Sequence, residues 1–148
     1  MTISMGSDHA GFALKETIKE HLKLNGYEII DVGCFSNEST DYPVYGIAAA
    51  ERVMDGSAEL GIVVCSTGVG ISIAANKVRG IRCGLCHNVQ TAELSRRHNN
   101  ANMLALGASQ VSSESALEIV DKWLAAGFEG GRHARRVGII DKYDNARG

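Results

Sequence analysis

A single cysteine stands where an apolar run meets a glycine-rich turn. Residues 63–77 read VVCSTGVGISIAANK, so polar residues, two glycines and a stretch with helical spacing follow Cys65 directly. A glycine turn that leads from a strand into a helix presents backbone N–H groups that bind anions. The same helix end stabilises a thiolate, which can act as a base or a nucleophile. Cys65 is therefore a candidate catalytic residue, and the alternative interpretation is an ordinary buried strand cysteine.

The glycine turn does not match the common nucleotide-binding motifs. Ile73 occupies the third glycine position of a dinucleotide fingerprint, and the G-K-[ST] triplet of a Walker loop is absent. Glycine spacing alone supports a tight strand–helix turn without a ligand about as well as an anion site.

Two further stretches carry basic residues with helical spacing. SRRHNNAN places His98 and Asn99 at the end of a helix, where a C-terminal cap is the alternative interpretation. GGRHARR places Arg132 and Arg136 four residues apart, so one helical face can present both guanidinium groups to an anion. A solvated basic face is the alternative here.

The segment CGLCH, which contains Cys83 and Cys86, matches a haem-attachment or zinc-binding pattern. Haem attachment normally accompanies export, and the sequence shows no signal peptide. A structural zinc site needs a second pair of ligands at suitable spacing. We therefore interpret both residues as strand cysteines.

The length and composition of the chain fit one domain over residues 1–148. Hydrophobic residues make up 45% and charged residues 22% of the chain, and the net charge is −2. This balance gives no electrostatic reason to expect a nucleic-acid partner or an anionic membrane. Without a signal sequence or membrane span, we expect a cytoplasmic protein with reduced cysteines.

Short apolar runs alternate five times with helical patterns, which predicts an α/β fold with a parallel sheet covered on both faces. Its strands are TISMGS, YEIIDVG, LGIVVC, GIRCGLC and NMLALG. The long helix SESALEIVDKWLAAG is expected to open at Ser113, and the basic tail to form a C-terminal helical extension. For the strand order 2-1-3-4-5, the order reverses between strands one and three, and ligands bind beyond the carboxyl ends of these two strands. The segments SDHAG and CSTGVG follow these strands, so we expect them to meet at the ligand site. We expect His98 on the rim that faces this point.

Six stretches taken together resemble the type B ribose-5-phosphate isomerase family, which includes the subunits of galactose-6-phosphate isomerase. These stretches are GSDHAG, TDYP, CSTGVGISIAANK, GIR, SRRHNNANMLALG and GGRHARRV. The resemblance covers nearly the whole chain. It implies a flavodoxin-like (Rossmann-like) three-layer α/β/α sandwich with a five-stranded parallel sheet. It also implies a homodimer or dimer of dimers with sites between subunits, a sugar-phosphate substrate, and no metal or cofactor.

The resemblance also assigns roles by position. Cys65 matches the base that moves a proton between C1 and C2, and His98 matches the acid that opens the furanose ring. The turn matches the loop whose N–H groups hold the enediolate. Sugar contacts fall on Asp8, His9 and Asn99, and phosphate contacts on Arg132 and Arg136. The residues of the turn are Ser66, Thr67, Gly68, Val69 and Gly70.

Three positions depart from the family pattern: Ser66 replaces a common glycine, Asn100 a frequent aspartate, and Ser109 a phosphate-binding arginine. Ser109 leaves another sugar or sugar phosphate open as the substrate, such as allose, allose 6-phosphate, galactose 6-phosphate or a tetrose phosphate. A non-catalytic phosphate-binding module is the alternative from another class, because fold does not fix function.

Overall fold

Five parallel strands form one sheet in the order β2-β1-β3-β5-β4 in the computed structural model, which describes residues 1–147. The strands are β1 Thr2–Ser7, β2 Glu28–Asp31, β3 Leu60–Cys65, β4 Cys83–Leu85 and β5 Met103–Gly107. The helices are α1 Phe12–Leu24, α2 Tyr42–Met54, α3 Val69–Asn76, α4 Val89–Arg97, α5 Ser113–Ala125 and α6 Arg132–Ala146. The predicted α/β class and the C-terminal helix α6 are confirmed.

The expected order of the last two strands is wrong. β5 pairs with β3, and β4 lies at the edge of the sheet. Burial gives the reason, because all five residues of β5 are buried whereas the three residues of β4 are partly or fully exposed. A fully apolar strand gains most from a central position with helices on both faces. The switch between β1 and β3 is as predicted.

Alternation along the strands divides the core into two layers. One face of the central strands packs against α1, α4 and α5, with Trp123 among its buried residues. The opposite face packs against α2 and α3, and it includes Cys65 and Ile71. These two layers and the sheet make the predicted three-layer sandwich.

Local sequence sets most helix ends. Pro43 lies at the start of α2, where a missing N–H group costs nothing. The prediction that α5 opens at Ser113 is confirmed, and the residue before it, Ser112, is the cap, whose side chain accepts a hydrogen bond from the Ser115 N–H group. Asn88 caps α4 in the same way, through Thr91.

Helix α6 lies outside the two helical layers. It is attached to the segment before β4, where Arg82 pairs with Asp141 at 2.9 Å and the Gly80 N–H group donates to Asp144. Its exposed residues include Ile139, Ile140 and Tyr143. Within residues 1–147, no helix has both the length and the apolar character needed to cross a membrane.

Candidate active site

Cys65 and Asp8 lie side by side at the carboxyl edge of the sheet. Ser7 of β1 is in register with Val64 of β3, so Asp8, which follows β1, lies level with Cys65, the last residue of β3. We call Asp8, His9 and the segment 65–70 the Cys65 cluster. The structure thus brings together the two segments that the sequence placed at the switch point.

The turn after Cys65 is built around its own sulfur. The Gly68 N–H group donates to Cys65 Sγ at 3.2 Å, and Cys65 is only 5% exposed. Gly68 has φ +80°, and a Cβ there would lie 2.9 Å from the Leu106 carbonyl carbon, so glycine is required. An N–H group donated to sulfur stabilises negative charge on it.

Helix α3 begins directly after this turn, at Val69. Thr67 Oγ1 accepts a hydrogen bond from the Val69 N–H group at 3.3 Å. Gly70 and Ile71 lie in the first turn of α3. The N–H groups of a first turn have no carbonyl partner within their own helix, so these two groups are unpaired within α3. These two groups are donors for a developing oxyanion beside the thiol.

The β1–α1 turn fixes Asp8 and His9. Asp8 is buried, and its Oδ1 accepts a hydrogen bond from the Gly11 N–H group at 3.0 Å. The Thr40 N–H group donates to His9 Nδ1 at 3.1 Å. A neutral His9 therefore carries its proton on Nε2 and presents a donor on the other side of the ring.

A buried ion pair supports the loop that carries Thr40. Lys15 is fully buried, and its Nζ lies 2.7 and 2.6 Å from the two carboxylate oxygens of Asp31. Asp31 also accepts from Lys19 and from the Gly33 N–H group. Burial alone would raise the pKa of Asp31, but these hydrogen bonds outweigh it and lower the pKa below its ordinary value.

Tyr42 is a site residue that the sequence interpretation did not assign. A Cβ on Gly70 would lie 2.6 Å from Tyr42 Cζ, which shows how closely the ring covers the turn. Tyr42 belongs to TDYP, one of the motifs of the resemblance, but that motif by itself indicates no role.

Ser109 lies against the turn after Cys65. Its Oγ donates to the Ser66 carbonyl at 2.8 Å, and its N–H group donates to the same oxygen at 2.9 Å. The position at which the resemblance implies an arginine therefore neighbours the turn after Cys65. In this chain its short side chain holds the backbone of that turn.

His98 does not lie on the rim that faces Cys65, contrary to our expectation. Helix α4 starts beyond the carboxyl end of β4 and returns to the amino end of β5, so His98 lies at the opposite edge of the sheet. The six residues of β3 separate the two edges by roughly 17 Å. Within one chain, Cys65 and His98 cannot act on the same carbon skeleton.

A second cluster surrounds His98 at this amino edge. The rings of His98 and His133 stack with centroids 4.1 Å apart. Each Nε2 faces Glu129 Oε1, at 3.8 and 3.7 Å respectively. We call this the His98 cluster, and its members are His98, Asn99, Glu129, Arg132, His133 and Arg136. The sequence interpretation did not include Glu129 or His133.

The charges of the His98 cluster act on His133. Burial lowers the pKa of His133, and the positive charges of His98, Arg132 and Arg136 lower it further, while Glu129 opposes them. Arg132 and Arg136 are both exposed on α6, so their guanidinium groups are accessible to an anion. Asn100 next to this cluster has φ +47°, a conformation that asparagine tolerates better than most residues.

Cys83 and Cys86 lie outside both clusters. Burial raises the pKa of Cys83 to about 12, which makes it a poor source of thiolate. A cavity of about 490 Å³ between α6 and the sheet is lined by Cys83, Asn99 and Tyr143, among others, but not by Cys65 or His98. Among the described residues, the group with ligand atoms close enough for a metal ion is His98, Glu129 and His133.

Comparisons with known proteins bear on the whole chain. The sequence profile described as ribose/galactose isomerase matches residues 3–140. Ribose-5-phosphate isomerase B of Escherichia coli K12 is 50% identical over 145 residues, which are 98% of this chain and 97% of the relative. The structure of Clostridium thermocellum ribose-5-phosphate isomerase B superposes with a TM-score of 0.97 at 54% identity and covers 98% of both chains.

A further structure is that of ribose-5-phosphate isomerase B from Mycoplasma genitalium with bound ribulose 5-phosphate. It has a TM-score of 0.95 and 41% identity, and the match covers 99% of this chain and 97% of the other. The resemblance indicated by the motifs is confirmed: the chain belongs to the ribose/galactose isomerase family.

Proposed function

We propose that this protein is an aldose–ketose isomerase that interconverts ribose 5-phosphate and ribulose 5-phosphate. The observation that carries the proposal is the thiol of Cys65 at a turn that leads directly into the N-terminus of α3 and donates an N–H group to the sulfur. The relatives named as ribose-5-phosphate isomerase B support the choice of substrate. So does the bound ribulose 5-phosphate of the Mycoplasma genitalium structure.

The geometry suits a cis-enediolate mechanism. The Cys65 thiolate removes the proton from C2 of the open-chain aldose to give the enediolate, and the resulting thiol returns it to C1 while the hydroxyl proton on O2 moves to O1. The oxygen that becomes negative meanwhile accepts hydrogen bonds from the turn 66–70. Asp8, His9 and Asn99 contact the sugar hydroxyls. Tyr42 covers the turn and limits the access of water.

The two clusters form one site when two copies of the chain associate. His98, which opens the furanose ring, and the phosphate-binding pair Arg132 and Arg136 come from the opposite protomer. Exposed apolar residues beside both clusters support a homodimer: Val69 and Ile73 on α3, and Ile140 and Tyr143 on α6. We also expect the protein to be cytoplasmic.

A different sugar is the second candidate, and Ser109 favours it. Its hydroxyl is bound to the Ser66 carbonyl, so this position adds no positive charge to the anion site. A substrate with a longer carbon chain can use the space that an arginine would fill. Allose 6-phosphate, galactose 6-phosphate and free allose are the compounds to compare with ribose 5-phosphate.

The test follows ketose formation by NMR across this panel, with Cys65→Ala as the variant and Cys83→Ala as the matched control. Cys65→Ala is expected to abolish turnover and to retain sugar binding, whereas Cys83→Ala stays active. If Cys65→Ala keeps more than about a tenth of kcat, a loss of only ~1.4 kcal/mol, the base is another group. If the wild-type protein converts no sugar, the binding-module alternative is favoured.

A further inference from the structure

The buried histidine of the His98 cluster has unused hydrogen-bonding capacity. His133 is 8% exposed, and its Nε2 has no hydrogen-bond partner among residues 1–147. A buried polar atom without a partner destabilises the fold, so its retention calls for a reason. The nearest features are the His98 ring and Glu129 Oε1.

The ring geometry argues against a shared metal ion at this place. The lone pair of an imidazole nitrogen lies in the plane of its ring. The two rings are within 5° of parallel and are stacked, so no point lies in both planes. A metal ion bound to both Nε2 atoms would require one ring to rotate out of the stack.

Glu129 is held so that one oxygen faces the histidines. Arg97 Nε donates to Glu129 Oε2 at 2.6 Å, and the Glu129 N–H group donates to the Arg97 carbonyl at 3.0 Å. With Oε2 and the backbone both engaged, Oε1 is left facing His98 and His133. A movement of less than about 1 Å would bring either imidazole into hydrogen-bond range.

The arrangement favours one proton shared unequally between the two rings. Two imidazolium groups in contact repel each other, so the pair does not readily hold two charges. Burial lowers the pKa of His133, and the nearby Arg132 and Arg136 act in the same direction. The His98 side chain is 34% exposed, so water can solvate its charge. Glu129 Oε1 therefore lies where it can accept a hydrogen bond from His98, whose ring rests on the buried ring of His133.

We propose that Glu129 and His133 are positioning residues that keep a proton on His98 and fix its ring for the opening of the sugar ring. The inference rests on the proposed function, because it takes His98 as the ring-opening acid. In that step the proton passes from His98 to the ring oxygen, and the bond from this oxygen to C1 breaks. The anomeric hydroxyl releases its proton to water as C1 becomes an aldehyde, and a proton from water restores the imidazolium.

Ring opening can be measured separately from isomerisation in the Cys65→Ala protein. This variant still interconverts the α and β anomers of ribose 5-phosphate if His98 is the acid, and NMR exchange spectroscopy measures that rate against pH. Adding Glu129→Gln is expected to shift the basic limb of the profile to lower pH, because the negative charge next to His98 is lost. Glu93→Gln is the matched control, since Glu93 pairs with the same Arg97 and is expected to leave the profile in place.

The His133 variants separate positioning from charge. His133→Asn removes the stacked ring and is expected to slow exchange about tenfold at every pH, because a small displacement of the acid is costly. His133→Phe restores a flat ring and is expected to recover most of that rate. Thermal unfolding shows whether each variant is folded, and if His133→Asn is not, the Glu129→Gln profile decides.

Three results would overturn the inference. They are an unshifted Glu129→Gln profile, a folded His133→Phe as slow as His133→Asn, and a Cys65→Ala protein that binds ribose 5-phosphate without catalysing exchange. If one of these results is obtained and the wild-type protein still converts ribose 5-phosphate to its ketose, this inference fails and the proposed function stands. A wild-type protein that does not convert it removes the proposed function itself.

Discussion

Mixing two inactive variants is expected to restore activity. Cys65→Ala removes the thiol from the carboxyl edge, and His98→Asn removes the acid from the amino edge of the same chain. Each homodimer then has two damaged sites. In a mixed dimer, the Cys65 of one protomer meets the His98 of its partner, so one intact site forms beside one site that lacks both groups.

The expected recovery follows from the separation of the clusters. Because the clusters lie roughly 17 Å apart in one chain, the proposed site draws on both protomers. When equal amounts of the two variants exchange subunits at random, about half of the dimers are mixed, and one of the two sites in each mixed dimer is intact. The mixture should therefore reach about a quarter of wild-type turnover per protomer, above any residual activity of His98→Asn.

The assay needs proof that subunits have exchanged. The two variants carry different affinity tags, and tandem purification isolates the mixed dimer before initial rates are measured with ribose 5-phosphate. If the purified mixed dimer is no more active than its parents, the site does not combine opposite edges of two chains. A double variant with both changes in one chain, mixed with wild-type chains, serves as the control. Each of the two sites in its purified mixed dimer lacks either Cys65 or His98, so this mixed dimer is expected to be no more active than the single variants.

Three further changes probe the site and the fold. Ser109→Arg is expected to lower KM for ribose 5-phosphate and to steepen its salt dependence with little change in kcat, and a loss of activity on the best sugar would indicate a remodelled pocket. Lys15→Met should cost about 3 kcal/mol in urea unfolding, because Asp31, whose side chain is only 11% exposed, loses its main partner. Because the pKa of Asp31 is lowered in the folded state, the ion pair stabilises the wild-type protein fully above the unfolded pKa of about 3.9. This stabilisation is lost as the pH falls through the folded pKa. The free energy of unfolding should therefore fall more steeply with decreasing pH in the wild type than in Lys15→Met. Ser112→Ala should cost about 1 kcal/mol while Ser113→Ala costs little, and equal losses would contradict the cap.

The element types could be predicted because strand and helix periods are local properties. LGIVVC is continuously apolar and forms β3 at the predicted bounds. The order of β4 and β5 could not be predicted in the same way, because pairing depends on contacts between distant segments. A hint was present, since MLALG is apolar throughout whereas the β4 segment contains Arg82 and Gly84.

The two halves of the site differ in how well the sequence indicated them. Cys65 was placed by the rule that ligands bind beyond the carboxyl ends of parallel strands. The expected position of His98 neglects connectivity, because a helix that joins two parallel strands must return to the amino edge before the next strand begins. Glu129 lies in a loop, where no periodic pattern indicates a role. His133 belongs to the motif GGRHARR, whose arginines indicate an anion site and give no sign of a role for the histidine. Their contact with His98 depends on the folded chain.

The outer strands of the sheet limit how copies of the chain can associate. β2 has four residues and β4 has three, whereas the three inner strands have five or six. An outer strand exposes unpaired N–H and C=O groups, and a long one can recruit strands from other molecules into aggregates. Strands this short offer few such groups, so growth of the sheet from chain to chain is disfavoured. Association is thereby left to the helical surfaces, which are the surfaces that the proposed homodimer uses.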